Sequence, residues 1–306
     1  MTKTDERFAE ANGIRIAYDT FGKPADPPLL LVMGLGMQML AWDDLFCERL
    51  AIKGYWVIRF DNRDIGRSSI LESAMTPGIW QMISAGLFHR PLSAPYRLKD
   101  MAADALGLMD AMDIRAAHVV GASMGGMIAQ EMAIRYSSRL LTMTSIMSTT
   151  GDTRLQNASL KIRLQLLKRS PVEKHAYEEH IVSLFKLLNG SYYPFDETRY
   201  RRLAADIFKR GLHPEGIARQ LAAVIASGSR KEKLFEVITP ALIIHGDADP
   251  LIPLAHGQAT ADAIPEAKLH IVHGMGHTMP EAAWPEIIDT IIRHAAAASI
   301  SRLVCI

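Results

Sequence analysis

The chain has few cysteines and almost no net charge. Its two cysteines, Cys47 and Cys305, form neither a disulfide framework nor a metal-ligand spacing. The formal net charge of the 306 residues is +1, which gives no electrostatic reason to expect a nucleic acid or an acidic membrane surface as partner. We therefore expect neither partner, and the composition leaves the oligomeric state open.

Long hydrophobic runs are also absent. Residues 1–13 lack the apolar core of a secretory signal. The longest apolar run, residues 27–42, is interrupted by glycine and glutamine and is too short to cross a bilayer. With only two cysteines, these features predict a protein of the reducing cytoplasm that has no membrane span.

Short apolar segments alternate with helical patterns along most of the chain. The segments are four to six residues long, rich in Val, Ile and Leu and bounded by Gly, Pro or Asp, as is typical of parallel strands buried on both faces. They are residues 14–18, 29–32, 56–60, 117–121, 140–145, 241–245 and 268–272. Amphipathic patterns predict helices over residues 42–53, 98–112, 123–136 and 284–297. This alternation predicts an α/β protein with a doubly wound, mostly parallel sheet.

One long stretch, residues 149–233, breaks the alternation because it contains no strand-like run. Helical patterns fill it instead, at residues 160–168, 175–188, 197–210 and 214–226. We therefore predict a core domain of residues 1–148 and 234–306, with residues 149–233 folded as a helical cap over the sheet's C-terminal edge. A shorter insertion, residues 71–96, could wall the same cleft.

A candidate nucleophile lies where a predicted strand meets a predicted helix. Residues 121–126 read Gly-Ala-Ser-Met-Gly-Gly, and Gly-x-Ser-x-Gly at such a junction is the pattern of a nucleophile elbow. Small flanking residues let Ser123 adopt a strained backbone, and the helix N-terminus directs amide donors at a developing oxyanion. The alternative is a glycine-rich turn without chemistry, which this placement disfavours.

A serine hydroxyl needs a base, and His277 is the histidine placed best to serve. It follows the predicted strand 268–272 in a Gly-Met-Gly-His loop, whose glycines can bring an imidazole over the sheet edge. His273 lies closer to the strand, where a structural role is favoured.

Two carboxylates after the predicted strand 241–245, Asp247 and Asp249, could orient that imidazole. The chain order Ser, Asp, His is the one expected for such a site. Asp247 could instead cap the turn. His245 with the two aspartates also resembles a metal cluster, but no further ligand set is evident, so we expect no metal.

Four motifs resemble those of bacterial α/β-hydrolase-fold esterases, and the closest group is the aclacinomycin methylesterase-like hydrolases. The motifs are Asp-Asn-Arg-Asp-Ile-Gly-Arg-Ser at residues 61–68, the elbow, Gly-Asp-Ala-Asp with Pro253 at residues 246–253, and Gly-Met-Gly-His at residues 274–277. The resemblance places the acid on Asp249. Asp61 and Arg63 are interpreted as structural residues that pin a turn.

The resemblance also implies an oxyanion hole formed by the backbone amides of Leu35 and Met124. Met33-Gly34 stands where the family usually has His-Gly, but a backbone donor is insensitive to side-chain identity. A second departure is Asp64, which stands where a glycine is common in the wider family; the methylesterase-like group that this chain resembles also has an aspartate there.

These residues imply a carboxylic ester hydrolase that works through an acyl-enzyme on small to medium apolar esters, without cofactor or metal. Carbon–carbon bond hydrolases, enol-lactone hydrolases and cofactor-free perhydrolases resemble the same motifs, and a ligand receptor of this fold could keep the triad. Aromatic residues of the predicted cap suggest an apolar pocket, with Tyr193 and Phe208 as candidate substrate contacts. The alternative is that they form the cap's own core.

Overall fold

A mostly parallel sheet of eight strands forms the centre of the protein. The computed structural model describes residues 3–88, 90–156, 158, 159, 162, 165 and 170–304. The strands are β1 (Arg7–Ala11), β2 (Ile14–Phe21), β3 (Pro28–Val32), β4 (Trp56–Phe60), β5 (Ala117–Ala122), β6 (Leu140–Ile146), β7 (Ala241–Gly246) and β8 (Lys268–Val272). Their order is β1-β2-β4-β3-β5-β6-β7-β8, and every pairing from β4 onward is parallel. The predicted doubly wound α/β fold is confirmed.

The sequence analysis missed only strand β1 among these eight. This strand is largely exposed and pairs antiparallel with β2, so it lacks the apolar run that marks the buried strands. Asn12 and Gly13 connect the two strands, with φ of 51° and 76°. Asn-Gly is a strong hairpin signal because both residues tolerate positive φ.

Helices cover both faces of the sheet. They are α1 (Asp44–Ile52), α2 (Ile79–Phe88), α3 (Leu98–Ala111), α4 (Met124–Arg135), α5 (Lys174–Leu188), α6 (Glu197–Arg210), α7 (Pro214–Ser227), α8 (Lys231–Leu234), α9 (Leu254–Ala263) and α10 (Trp284–Val304). One buried apolar cluster joins α3 and α4 to the sheet, and a second joins α1 and α10 to it. Burying apolar side chains on both faces explains why the inner strands are continuous apolar runs. Among the described residues, no helix has the length and apolarity needed to cross a membrane.

The stretch between β6 and β7, residues 147–240 and hereafter the β6–β7 segment, contains helices α5 to α8. Three of the predicted helices lie at α5, α6 and α7, whereas the one predicted at residues 160–168 falls mainly outside the described residues. Helices α5 and α6 share a small apolar cluster that includes Tyr177 and Ile207. The division of the chain into core and cap stays a prediction.

Candidate active site

Ser123 lies in a sharp turn between β5 and α4. Its φ is 54° and its ψ is −119°, a strained conformation for a residue with a side chain. The Ser123 N–H donates to the carbonyl of Ile146 (2.9 Å), which ties the turn to the neighbouring strand. A Cβ built on Gly121 would overlap the carbonyl of Gly125, so this crossing of strand and helix needs glycine. The turn thus has the geometry that the elbow pattern predicts.

His277 and Asp249 continue from Ser123 in a line of hydrogen-bonded groups. Ser123 Oγ lies 3.0 Å from His277 Nε2, and His277 Nδ1 lies 2.7 Å from Asp249 Oδ2. The other oxygen of Asp249 accepts the backbone N–H groups of Leu251 and Ile252, both at 2.8 Å. Asp249 and His277 are buried, while the serine is partly exposed. The fold therefore brings together three residues from the ends of three strands, with the serine accessible.

Asp247 and His273, the rival candidates, form a pair of their own on the surface. Asp247 Oδ2 lies 2.8 Å from His273 Nδ1, and the His273 side chain is 80% exposed. The N–H of Gly274 donates to the other Asp247 oxygen (2.6 Å). That N–H and then the His273 ring hold the pKa of the Asp247 carboxyl below its ordinary value. Asp247 thus caps the turn that leads into the histidine loop, as the sequence analysis proposed.

His245 is directed at a backbone carbonyl rather than at a metal site. Its Nε2 donates to the carbonyl of Ile252 (2.7 Å), and burial lowers the pKa of the imidazole. Because Asp247 turns away towards His273, the three residues of the apparent metal motif do not converge. In the described part of the chain, no group of three or more His, Cys, Asp or Glu side chains is arranged to hold a metal ion.

The loop that carries His277 is held by the end of α5. The His277 N–H donates to the carbonyl of Leu188 (2.7 Å), and Thr278 Oγ1 donates to Asn189 Oδ1 (3.0 Å). Asn189 also donates to the carbonyl of Tyr193 (2.8 Å), whose side chain packs against the apolar cluster shared by α1 and α10. The β6–β7 segment therefore supports the His277 loop, and it brings Tyr193 to the same edge of the sheet.

Phe208, the other candidate substrate contact, lies in the apolar cluster of α5 and α6. Its ring centroid is 6.1 Å from that of Tyr177, and the side chain is partly buried. Met37 packs against this cluster and also against the cluster of α1 and α10. This placement fits the alternative that Phe208 belongs to the core of the β6–β7 segment.

Met124 and Leu35, whose amides the sequence analysis assigns to the oxyanion hole, directly follow Ser123 and Gly34 in the chain. Met124 is the first residue of α4, and the carbonyl of Ser123 accepts the N–H groups of Gly126 and Met127. The N–H of Met124 thus belongs to the free N-terminal turn, where the helix dipole favours negative charge. Gly34 packs directly on the serine, since a Cβ built there would come 3.1 Å from Ser123 Cβ. Leu35 is the residue that follows it.

The turn after β4 carries contacts that the sequence analysis only partly foresaw. Asp61 accepts the N–H groups of Arg67 (3.0 Å) and Met39 (2.7 Å), and it also pairs with Arg210 of α6. Arg63 forms a buried pair with Asp104 of α3. These contacts agree with the structural role given to Asp61 and Arg63.

Asp64, one of the two departures from the family pattern, is fully buried and has a φ of 67°. Its carboxylate accepts two N–H groups of Arg219 (2.9 and 2.7 Å) and the hydroxyl of Tyr96 (2.7 Å). The aspartate keeps the left-handed backbone that glycine usually provides, and it adds a negative charge that α7 neutralises.

Comparison with known proteins agrees with this architecture. Residues 27–281 match the family described as alpha/beta hydrolase fold. The chain belongs to this family. It is 34% identical to rhodomycin D methylesterase DauP of Streptomyces sp. (strain C5), over 96% of this chain and 99% of that protein. It is 28% identical to 2-hydroxymuconate semialdehyde hydrolase of Pseudomonas sp. (strain CF600), over 95% of each. The crystal structure of the enol-lactonase from Burkholderia xenovorans LB400 superposes with a TM-score of 0.72 at 21% identity, covering 95% of this chain and all of that one.

Proposed function

We propose that this α/β hydrolase is a carboxylic ester hydrolase with Ser123 as nucleophile, His277 as general base and Asp249 as the orienting acid. The observation that carries the proposal is the continuous line from Ser123 Oγ to His277 (3.0 Å) and on to Asp249 (2.7 Å). Both contacts fall within the hydrogen-bond reach that proton transfer requires. The strained turn at Ser123 supports the same role because such strain concentrates at functional sites.

In the proposed reaction, Ser123 Oγ attacks the ester carbonyl carbon while His277 Nε2 takes the hydroxyl proton. Asp249 stabilises the imidazolium, and the amides of Leu35 and Met124 bind the oxyanion of the tetrahedral intermediate. Collapse of the intermediate breaks the carbon–oxygen bond, and His277 returns the proton to the leaving alcohol. Water then adds to the acyl-enzyme by the same route and releases the acid.

The substrate class that we propose is small to medium apolar esters, and among these we take methyl esters as the first choice. The similarity to a protein named rhodomycin D methylesterase, over nearly the full length of both chains, supports the methyl ester. The methoxy group of a methyl ester leaves as methanol and is small, so most of the binding surface would contact the acid part. Aromatic side chains of the β6–β7 segment would supply that contact.

The decisive experiment combines substitution of Ser123 with covalent labelling. Ser123→Ala should lower turnover of an activated p-nitrophenyl ester by about 10⁴-fold or more, because triad members act as a unit. A fluorophosphonate probe should label the wild type at Ser123 only. Ser148, whose hydroxyl instead donates to the Ser123 carbonyl (2.7 Å), is the control residue for the labelling. Retention of more than a tenth of the wild-type rate by Ser123→Ala would overturn the assignment.

A substrate panel separates ester hydrolysis from the reactions of other relatives. It should include methyl esters of aromatic acids, an enol-lactone and a dienone produced by aromatic ring cleavage. The similarity to 2-hydroxymuconate semialdehyde hydrolase makes carbon–carbon bond hydrolysis the second candidate. A specificity constant for the dienone that exceeds those of all esters would select that candidate, with the same serine and base.

Acyl-chain length tests the proposed pocket. Each buried methylene contributes about 0.8 kcal/mol until the pocket is full, so kcat/KM should climb with chain length and then drop. Tyr193→Ala should move that maximum, whereas Phe235→Ala is the control because Phe235, an aromatic residue of the same segment, is 50% exposed. Phe208→Ala tests the other candidate. An unchanged profile in both the Tyr193 and the Phe208 variant would remove these residues from the pocket.

A further inference from the structure

The loop that follows β3, residues 33–39 and hereafter the oxyanion loop, is fixed by side chains from other parts of the chain. Near its start, Asn62 Nδ2 donates to the carbonyl of Met33 (2.9 Å). At its end, the N–H of Met39 donates to Asp61 Oδ1 (2.7 Å). Leu35, the proposed second oxyanion donor, lies between these two attachment points. Its orientation therefore depends on whatever holds the middle of the loop.

The middle of the oxyanion loop is held by Gln220 of α7. Gln220 is fully buried, and its Oε1 accepts the N–H of Gly36 at 2.9 Å. Its Nε2 donates to the carbonyl of Arg63 at 2.8 Å. The side-chain amide of Gln220 thus joins the oxyanion loop to the turn after β4, with its oxygen and its nitrogen each in a hydrogen bond.

Helix α7 also packs directly on the backbone of the oxyanion loop. A Cβ built on Gly36 would come 3.2 Å from the side chain of Ile217, and the φ of Gly36 is 70°. A residue with a side chain at this position would be strained and would push the helix away. The close approach lets the Gln220 side chain reach the main-chain N–H of Gly36.

We propose that Gln220 is a positioning residue for the oxyanion hole, which it serves by fixing the peptide next to Leu35. The inference rests on the function proposed above. Asn62 holds the carbonyl of Met33 and Gln220 holds the amide of Gly36, so the peptides on both sides of Gly34 and Leu35 are held by buried side chains. Preorganised donors stabilise an oxyanion because they need no reorientation during the reaction. Gln220 adds this preorganisation from the β6–β7 segment, outside the central sheet.

A purely structural role for Gln220 predicts a different result from the same substitution. Leaving the Gly36 N–H and the Arg63 carbonyl unpaired would cost stability in either case. Only with a positioning role does the substitution lower kcat and the affinity for a transition-state analogue by the same factor. A trifluoromethyl ketone serves as that analogue, since addition of Ser123 Oγ to its carbonyl places an anionic oxygen between the proposed donors.

The experiment compares Gln220→Met with Gln130→Met. Both glutamines are fully buried, and Gln130 Oε1 accepts from Arg230 Nε (2.9 Å), so each change removes a buried amide contact. Loss of an oxyanion donor costs roughly 10²–10³-fold in kcat, and we expect loss of one support for that donor to cost about 10-fold. Gln220→Met should thus lower kcat about 10-fold with KM nearly unchanged, and it should raise the Ki of the trifluoromethyl ketone equally. Gln130→Met should lower Tm and leave kcat and Ki at the wild-type level.

Rescue by a conservative variant completes the test. Gln220→Glu keeps an oxygen that can accept the Gly36 N–H, so it should retain more of the wild-type kcat than Gln220→Met does. If Gln220→Met does not fold, Gln220→Asn takes its place, because its amide is one methylene too short to reach Gly36. The same kcat and Ki results are then expected.

The inference is overturned if the Met or Asn variant lowers Tm but leaves kcat and Ki unchanged, or if the Glu variant loses as much kcat as the Met variant. Failure of the proposed function is seen separately. In that case the wild type hydrolyses no ester, and Ser123 does not react with the fluorophosphonate probe.

Discussion

Two aspartates on one loop, each paired with a histidine, provide the sharpest prediction. Asp249→Asn should lower kcat by about 10⁴-fold, because an amide facing His277 Nδ1 favours the wrong imidazole tautomer and cannot stabilise the imidazolium. A loss of this size is about 5.4 kcal/mol of transition-state stabilisation, at 1.36 kcal/mol per tenfold change. Asp247→Asn should keep kcat within about 3-fold, because its partner His273 is on the surface and makes no contact with the serine.

The two substitutions are matched, since each replaces a carboxylate that accepts a backbone N–H and contacts an imidazole Nδ1 at 2.7 or 2.8 Å. They differ in burial, as the side chain of Asp249 is fully buried and that of Asp247 is 32% exposed. The assay is hydrolysis of a short-chain p-nitrophenyl ester, with active serine counted by fluorophosphonate titration. A larger loss in Asp247→Asn, or less than a 10-fold loss in Asp249→Asn, would refute the assignment of the acid.

The contribution of Asp247 to the stability of the fold should depend on pH. Because its pKa is lowered in the folded protein, the carboxylate stabilises the fold at neutral pH, and this stabilisation is lost as the pH falls through the folded-state pKa. The wild type should therefore unfold at higher urea concentration than Asp247→Asn at pH 7. The difference should shrink once the pH falls below about 4, where an ordinary aspartate protonates. A difference that is constant between pH 7 and pH 3 would contradict this account.

Two further substitutions test the packing around the site. Arg219→Met should lower the free energy of unfolding, measured by urea titration, by about 3–5 kcal/mol, because it leaves the buried Asp64 carboxylate without its charged partner. Arg201→Met is the control. It breaks ion pairs that are largely exposed and should cost about 0–1 kcal/mol. Gly121→Ala should abolish fluorophosphonate labelling or folding, since its methyl group would overlap the backbone of α4. Gly78→Ala is the control and should leave both unchanged, because a Cβ there comes no closer than 3.7 Å to another side chain. Equal effects within either pair would count against the packing described.

The central strands and the sharp turn at Ser123 could be predicted from sequence because their signals are local. Strands such as β5 and β7 are buried on both faces, so their side chains are selected for burial along the whole strand. The turn at Ser123 needs glycine at Gly121 for a steric reason that leaves a readable motif. Strand β1 was missed because its exposed residues carry no such pattern, although the Asn12-Gly13 pair was a usable signal.

The choice between Asp247 and Asp249 could not be made from the residues alone. Both follow the same strand, and each has a histidine at a similar distance along the chain. The resemblance to a family motif favoured Asp249, and the folded geometry places only this aspartate on the histidine that reaches the serine. Which pair faces inward depends on how the loops after β7 and β8 turn, and that is a property of the tertiary structure.

Contacts between α7 and the loops around the serine were beyond sequence reasoning for a different reason. Gln220 binds groups 157 and 184 positions away, and Arg219 binds an aspartate 155 positions away. On an amphipathic helix, such polar residues are ordinarily assigned to the solvent face. Here both are fully buried, because Gln220 pairs with two backbone groups of the loops it meets and Arg219 pairs with the Asp64 carboxylate. The burial of a polar residue on a helix can be recognised only when its distant hydrogen-bond partner is known.

The adjacent positions of Arg219 and Gln220 link the two departures from the family pattern. Asp64, in place of a common glycine, provides the charge that Arg219 neutralises, and this ion pair holds α7 against the turn after β4. With the helix fixed there, Gln220 reaches the loop in which Met33-Gly34 replaces the usual His-Gly. Of these two neighbouring residues on α7, Arg219 would hold the helix in place and Gln220 would position the oxyanion loop. Substituting Arg219 should act chiefly on the free energy of unfolding, and substituting Gln220 should act on kcat beyond its cost in stability. If both variants changed only stability, α7 would be a packing element, and other contacts of the oxyanion loop, such as those of Asn62 and Asp61, would set its geometry.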